Sequence, residues 1–112
     1  MKTEEYPIED NKFEYMGKIY DCSYGVERDI PNIIREAETS HKEHFEETYV
    51  KESLKPYKIR LHLDKNEEPM FCMILYVIDY KRGISRRTAC GDYYQIYNGK
   101  VSPHPFQASI CW

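Results

Sequence analysis

No apolar run in these 112 residues approaches the roughly 20 needed for a transmembrane helix. The opening residues, Met1-Lys2-Thr3-Glu4-Glu5-Tyr6-Pro7, are polar and acidic, so no export signal is expected. There is no CxxC pair and no H-E-x-x-H, which removes the familiar zinc and dithiol motifs. A P-loop, a dinucleotide glycine pattern and a nucleophile elbow are also missing, as are internal repeats and low-complexity segments. The chain is too short for a two-domain enzyme or for a (β/α)₈ barrel of about 250 residues. Its length suits one domain.

What is present is tyrosine. Eleven tyrosines accompany 23 Ile, Leu, Val and Phe residues. Each ring can be buried, but each hydroxyl wants a partner or water, which suits a small core with wet edges or an interface. The net charge of −3 hides an asymmetry: residues 1–55 carry −6 and residues 56–112 carry +3. Such a dipole bears on partners rather than fold. The four cysteines (22, 72, 90 and 111) are far apart in sequence, so reduced thiols in a cytoplasmic setting are expected.

Residues 1–11 are charged and aperiodic and read as a flexible or extended arm, leaving residues 12–112 as the domain. Residues 13–15 and 19–24 flank Gly17-Lys18 as a hairpin, with Gly25 ending its second strand. Pro31, just after Asp29, suits a first helical turn. Apolar positions at 30, 33, 34, 37, 41, 45, 48–49 and 54 then keep a 3.6-residue period, predicting one long, bent helix over 31–54 stopped by Pro56, with two helices broken near Thr39-Ser40 as the alternative that the Ser40-His41-Lys42-Glu43 capping box offers. Residues 57–64 alternate as a strand. Residues 70–80 form a continuous apolar run, the mark of a strand buried on both faces. A strand near 88–97, an Asn98-Gly99 turn and a last strand from Val101 complete a meander.

The order predicts an α+β single domain: an N-terminal hairpin plus a four-strand meander forms an antiparallel sheet packed on one long helix. By analogy of architecture alone this is cystatin-like or nuclear-transport-factor-like. A turn at 65–68 would set Leu63 opposite Met70, Leu61 opposite Cys72, Ile59 opposite Ile74 and Tyr57 opposite Tyr76 on the helix side. The other face would pair His62 with Phe71, Arg60 with Met73 and Lys58 with Leu75. That face is an apolar stripe rimmed by cations, and it needs a cover: the chain's own termini, a second copy in a homodimer, or another protein.

These features favour a small non-enzymatic protein-binding module, of inhibitor or immunity type. Its expected contacts are the sheet residues Lys58, Arg60, His62, Phe71, Met73, Leu75, Tyr93, Tyr94 and Tyr97, together with Glu43, Glu46 and Glu47 on the acidic helix. The alternative is a small phosphorylated ligand or nucleotide held at the basic loop by Tyr80, Lys81, Arg82, Arg86 and Arg87. Duplex nucleic acid fits an acidic chain poorly, and no membrane partner and no cofactor are expected. A His41-x-x-His44 pair could share a metal if Glu, Cys or His62 and His104 supplied the remaining ligands, but no metal is expected. A Cys/His-dependent hydrolase is the third functional class, and Asp79 is expected to pair with Lys81 or Arg87.

Overall fold

A computed structural model describes residues 2–41 and 44–103. Its elements are β1 (Lys2–Pro7), β2 (Lys12–Tyr15), β3 (Lys18–Asp21), α1 (Ser23–His41), α2 (Phe45–Thr48), β4 (Tyr49–Leu63), β5 (Pro69–Tyr80), β6 (Arg86–Tyr97) and β7 (Lys100–Ser102). The strands form one sheet in the order β1-β4-β5-β6-β7-β3-β2, so the α+β class stands with seven strands where six were expected. The extra strand is β1. The segment read as an arm is hydrogen-bonded along β4, from Lys2 opposite Leu63 to Pro7 opposite Lys58.

The two edge strands, β1 and β2, are consecutive in the chain, and a short turn therefore draws the edges together. The ring of Tyr6 meets that of Tyr15 edge-to-face at 5.4 Å. The sheet thus curls almost into a barrel, with α1 against its inner face. Asn98-Gly99 makes the expected turn, both residues with positive φ. The first hairpin turns at Met16-Gly17, one residue earlier than expected, again with positive φ at both.

The helix boundaries differ most from expectation. α1 begins eight residues early, where the carboxylate of Asp21 accepts the Ser23 N–H at 2.7 Å and satisfies an otherwise unpaired donor. Gly25 lies inside this helix instead of ending a strand. A Cβ there would sit 2.8 Å from Ile74 Cδ1, so glycine lets α1 approach β5 closely. Pro31 is mid-helix on the exposed side, where a lost backbone hydrogen bond is least costly. Beyond α2 the chain becomes β4, not helix. Tyr49 pairs with Tyr80 and Val50 with Asp79, because the upper half of β5 needs a neighbour and non-local pairing overrides the helical period. Pro56 does not stop a helix; it sits at a register shift in β4.

The β4–β5 register matches expectation at five pairs: Lys58 with Leu75, Ile59 with Ile74, Arg60 with Met73, Leu61 with Cys72 and His62 with Phe71. The ends slip, so that Leu63 faces Pro69 and Pro56 faces Tyr76. Alternate residues Cys72, Ile74, Tyr76 and Ile78 join Ile33, Ala37, Phe45, Ile59 and Leu61 in the core around α1. The run is buried on both faces, as its composition implied. The outer stripe needs no second copy to cover it, however: Met73, Leu75 and Val77 are only 7%, 6% and 7% exposed within the single chain.

Candidate functional site

The outer sheet face holds most of the residues expected to bind a partner, and the chain already uses several of them. Glu5 of β1 takes both rim cations, Lys58 Nζ at 2.7 Å and Arg60 Nε at 3.0 Å. Those two hydrogen bonds hold the Glu5 carboxyl below its ordinary range. Sequence reading missed Glu5 because β1 looked like an appendage. His62 is partly buried, with its ring 5.8 Å from that of Tyr93 and its Nε2 without a hydrogen-bond partner among the described residues. Burial, then the charge of Arg60, pushes its imidazole below the usual value, favouring the neutral form.

The three tyrosines of β6 separate by the period-2 rule. Tyr93 and Tyr97 point outward. Tyr94 points inward and is 1% exposed, so it offers no surface. Tyr97 is 64% exposed. Cross-strand pairing sets Tyr97 opposite Lys100, and Lys100 opposite Asp21 of β3. Ile19, two residues before Asp21, therefore shares the outer face with Tyr97, two strands across and two residues along, or roughly 12 Å away. Ile19 is 57% exposed and Met16, at the adjoining turn, 82%. Three of the four exposed large apolar residues among the described residues thus lie towards one end of the sheet, although some 80 residues separate them in sequence. Of the acidic helix residues, Glu46 and Glu47 are exposed on α2, and Glu43 lies outside the described residues.

The opposite end carries the basic loop. Arg86 bonds Asp79 at 2.9 Å, because β5 and β6 set the two residues opposite each other; this replaces Lys81 or Arg87 as the expected partner. Arg87 donates to the Tyr49 hydroxyl at 2.9 Å. The side chains of Lys81 and Arg82 are exposed and make no hydrogen bond or ion pair among the described residues. A shallow cleft of about 370 Å³ beside them is lined by Glu47, Thr48, Tyr80 and Arg82. Ile84 at the apex is fully exposed.

A third constellation was not foreseen. Asp29, read as a residue at the helix start, is mid-helix and 0% exposed. Its Oδ2 accepts from the Tyr76 hydroxyl at 2.7 Å, and its Oδ1 accepts from the Tyr94 hydroxyl and from the Asp92 N–H at 3.0 Å. Arg28 bonds Asp92 at 2.8 Å and reaches the Tyr94 hydroxyl at 3.4 Å. Burial pushes the Asp29 carboxyl above its ordinary value despite these donors. Both tyrosine hydroxyls are pushed up as well, Tyr76 and Tyr94 each chiefly by burial. The Asp29, Tyr76 and Tyr94 side chains are buried, with Arg28 exposed at their edge, and the group ties α1 to β5 and β6 as a structural lock.

The parts of a Cys/His hydrolase do not meet among the described residues. Cys72 faces the core, while His62 is on the other side of the sheet. Burial lifts the Cys22 thiol to about 12 and that of Cys72 well above its ordinary value, so neither is a ready nucleophile. Cys90 is disulfide-bonded, which corrects the expectation of four reduced thiols. No group of three His, Cys, Asp or Glu residues is placed to hold a metal among the described residues. The helices described include none long and apolar enough to cross a membrane.

Fold and sites together define an α+β domain whose near-closed sheet wraps a locked helix and leaves its two ends exposed. Comparison of the chain with protein-family models, curated proteins and solved structures finds no match.

Proposed function

We propose that this chain is a non-enzymatic protein-binding module that contacts its partner through the Tyr-rich outer face of the sheet, at the end bearing Met16, Ile19 and Tyr97. The observation that supports this reading is that exposed Ile19 and Tyr97 share the outer face on either side of Lys100, with exposed Met16 at the turn next to Ile19. Apolar groups set in a polar surround are how protein contacts are usually anchored, and Tyr is prominent among such anchors. Tyr93 extends the surface along β6, and His62 of β4, its ring 5.8 Å away, carries it across the sheet. Glu46 and Glu47 on α2 lie beside the basic loop at the opposite end of the sheet, so a basic partner reaches them only by spanning the domain.

A photo-crosslinking residue at position 97 tests this, compared with the same probe at Glu38 on the exposed side of α1. Specific adducts at 97, lost in an Ile19→Asp variant, are the expected result. Identical adducts at both positions, or adducts that survive Ile19→Asp, would overturn the reading. Sedimentation across a concentration range assigns the adduct to a second copy or to a different protein.

The second reading is a small phosphorylated ligand in the Glu47–Thr48–Tyr80–Arg82 cleft. It is supported by Arg82 and Tyr80 lining that space together. With Arg86 and Arg87 engaged elsewhere, only Lys81 and Arg82 remain for the anion, and Glu47 opposes it.

A further inference from the structure

The β5–β6 hairpin tip adds to the cations of the small-ligand reading an apolar apex that neither reading uses. Ile84 has a relative exposure of 102%, so the chain leaves its side chain entirely in water. Gly83 beside it has a φ of +85°, and a Cβ built there would meet nothing within 4 Å. The tip is therefore a convex projection. Lys81 and Arg82 precede the apex and Arg86 and Arg87 follow it, giving four cations within seven residues. The two rear cations are held by Asp79 and Tyr49 and stiffen the stem. The two forward ones, Lys81 and Arg82, are exposed and unpartnered among the described residues. The stem also carries paired aromatics, with the ring of Tyr80 4.9 Å from that of Tyr49 and tilted by 36°.

We infer that this tip docks on an anionic phospholipid surface, inserting Ile84 between headgroups while Lys81 and Arg82 engage lipid phosphates. A convex tip with one apolar side chain ringed by cations fits a fluid, flat, negatively charged interface, which demands no matching concavity. A single apolar residue anchors weakly, so docking is reversible and local. The chain's net charge of −3 includes these four cations, so the remainder carries −7, which turns the other surfaces away from such a membrane and fixes the approach end-on. The contact is peripheral and uses strands, so it is independent of any membrane-spanning helix. It also does not rest on the surface around Tyr97.

The test is co-sedimentation of the full chain with vesicles of phosphatidylcholine alone and of phosphatidylcholine with roughly one-third phosphatidylserine. Binding to the anionic vesicles only, falling steeply between low and high salt, is expected. Lys81→Ala with Arg82→Ala should weaken it on the order of twenty-fold, at about five-fold per cation. Ile84→Ser leaves the charge unchanged and should weaken binding several-fold. All three positions are exposed, and an unchanged melting curve verifies the fold of each variant. No binding to anionic vesicles at low salt would overturn the inference. So would an Ile84→Ser variant that binds as well as the parent, which would mean charge attraction without insertion. Full competition by millimolar glycerophosphoserine would also overturn it, assigning the loop to a free phosphate ligand. An unchanged crosslink pattern at position 97 in these variants keeps the two surfaces distinct.

Discussion

Replacing Asp29 isolates what the buried lock contributes. In Asp29→Ala, three donors lose their acceptor together: the hydroxyls of Tyr76 and Tyr94 and the N–H of Asp92. A buried donor left unpaired costs about 1–3 kcal/mol. Some of that is recovered if the hydroxyls rotate, so the net loss should be about 3–6 kcal/mol. Against a total stability of about 5–15 kcal/mol this is severe, corresponding to roughly 4 °C of Tm per kcal/mol at this chain length. In Asp29→Asn the side-chain oxygen still accepts from Tyr94 and Asp92. The amide nitrogen then faces Tyr76, whose hydroxyl can turn to accept. The loss should be about 1 kcal/mol.

Urea unfolding of the three proteins supplies the comparison, and pH supplies a second axis. The Asp29 carboxyl titrates higher folded than unfolded. Its protonated form is therefore the one that folding favours. That contribution is full below the unfolded value of about 3.9 and is lost as pH rises through the raised folded value. Asp29→Asn lacks this slope, so the deficit of the amide variant relative to the parent should shrink as pH rises from about 4 towards neutrality. Equal losses for the Ala and Asn variants would refute the donor accounting. A deficit that grows with pH would refute the assignment of burial as the dominant influence on Asp29.

Two further outcomes follow from the same packing. Gly91→Ala would place a Cβ 2.0 Å from Asp29 Oδ2, whereas Gly25→Ala meets the movable tip of Ile74 at 2.8 Å. Gly91→Ala should therefore cost at least 2 kcal/mol more than Gly25→Ala, by overpacking and by displacing the carboxylate from its donors; denaturant midpoints of the two variants check the order, and equality would remove the role of Gly91. Cys22 and Cys72 are fully buried with raised thiols, so a thiol-reactive chromophore should modify them only at the rate of unfolding and become fast in denaturant. Rapid modification of either under native conditions would contradict their burial.

The parts of the fold that were legible in the sequence are those set by local period. The strict alternation of 57–64 and the unbroken apolar run of 70–80 contain their own register, because a slip by one residue would turn every side chain to the wrong face. Asn98-Gly99 carries its turn in its own backbone preferences. The missed elements depend on distant partners. β1 is charged and has no apolar period, and what makes it a strand is the open edge of β4 some 55 residues later. Phe45 and Tyr49 fit a helical period and are indeed buried, but from a short turn and a strand, because β5 outruns residues 57–63 and takes its remaining partners from 49–56. Of the expected binding residues, Tyr93 and Tyr97 reach the surface. Met73, Leu75 and Tyr94 do not, and Lys58 and Arg60 are already paired to a strand that sequence reading took for an arm.

Asp29 shows why the polar part of this core was hidden. In sequence it is one acid among eight between residues 27 and 54, and an acid beside Arg28 and ahead of Pro31 reads as solvated or as a cap. Its burial is decided elsewhere: by the missing Cβ of Gly91, which leaves room for the carboxylate, and by two inward tyrosines on β5 and β6 that supply donors. A helix held only by Val26, Ile33 and Ala37 could slide or rotate in the curl of the sheet with little change in apolar contact. Three directional hydrogen bonds to one carboxylate allow a single position along the helix axis. The supply of tyrosine noted at the outset therefore divides by face. The inward rings, with their hydroxyls spent on Asp29, fix the helix. The outward ones at 93 and 97 are thereby held on a rigid sheet, which is the condition under which a few exposed side chains make a selective contact.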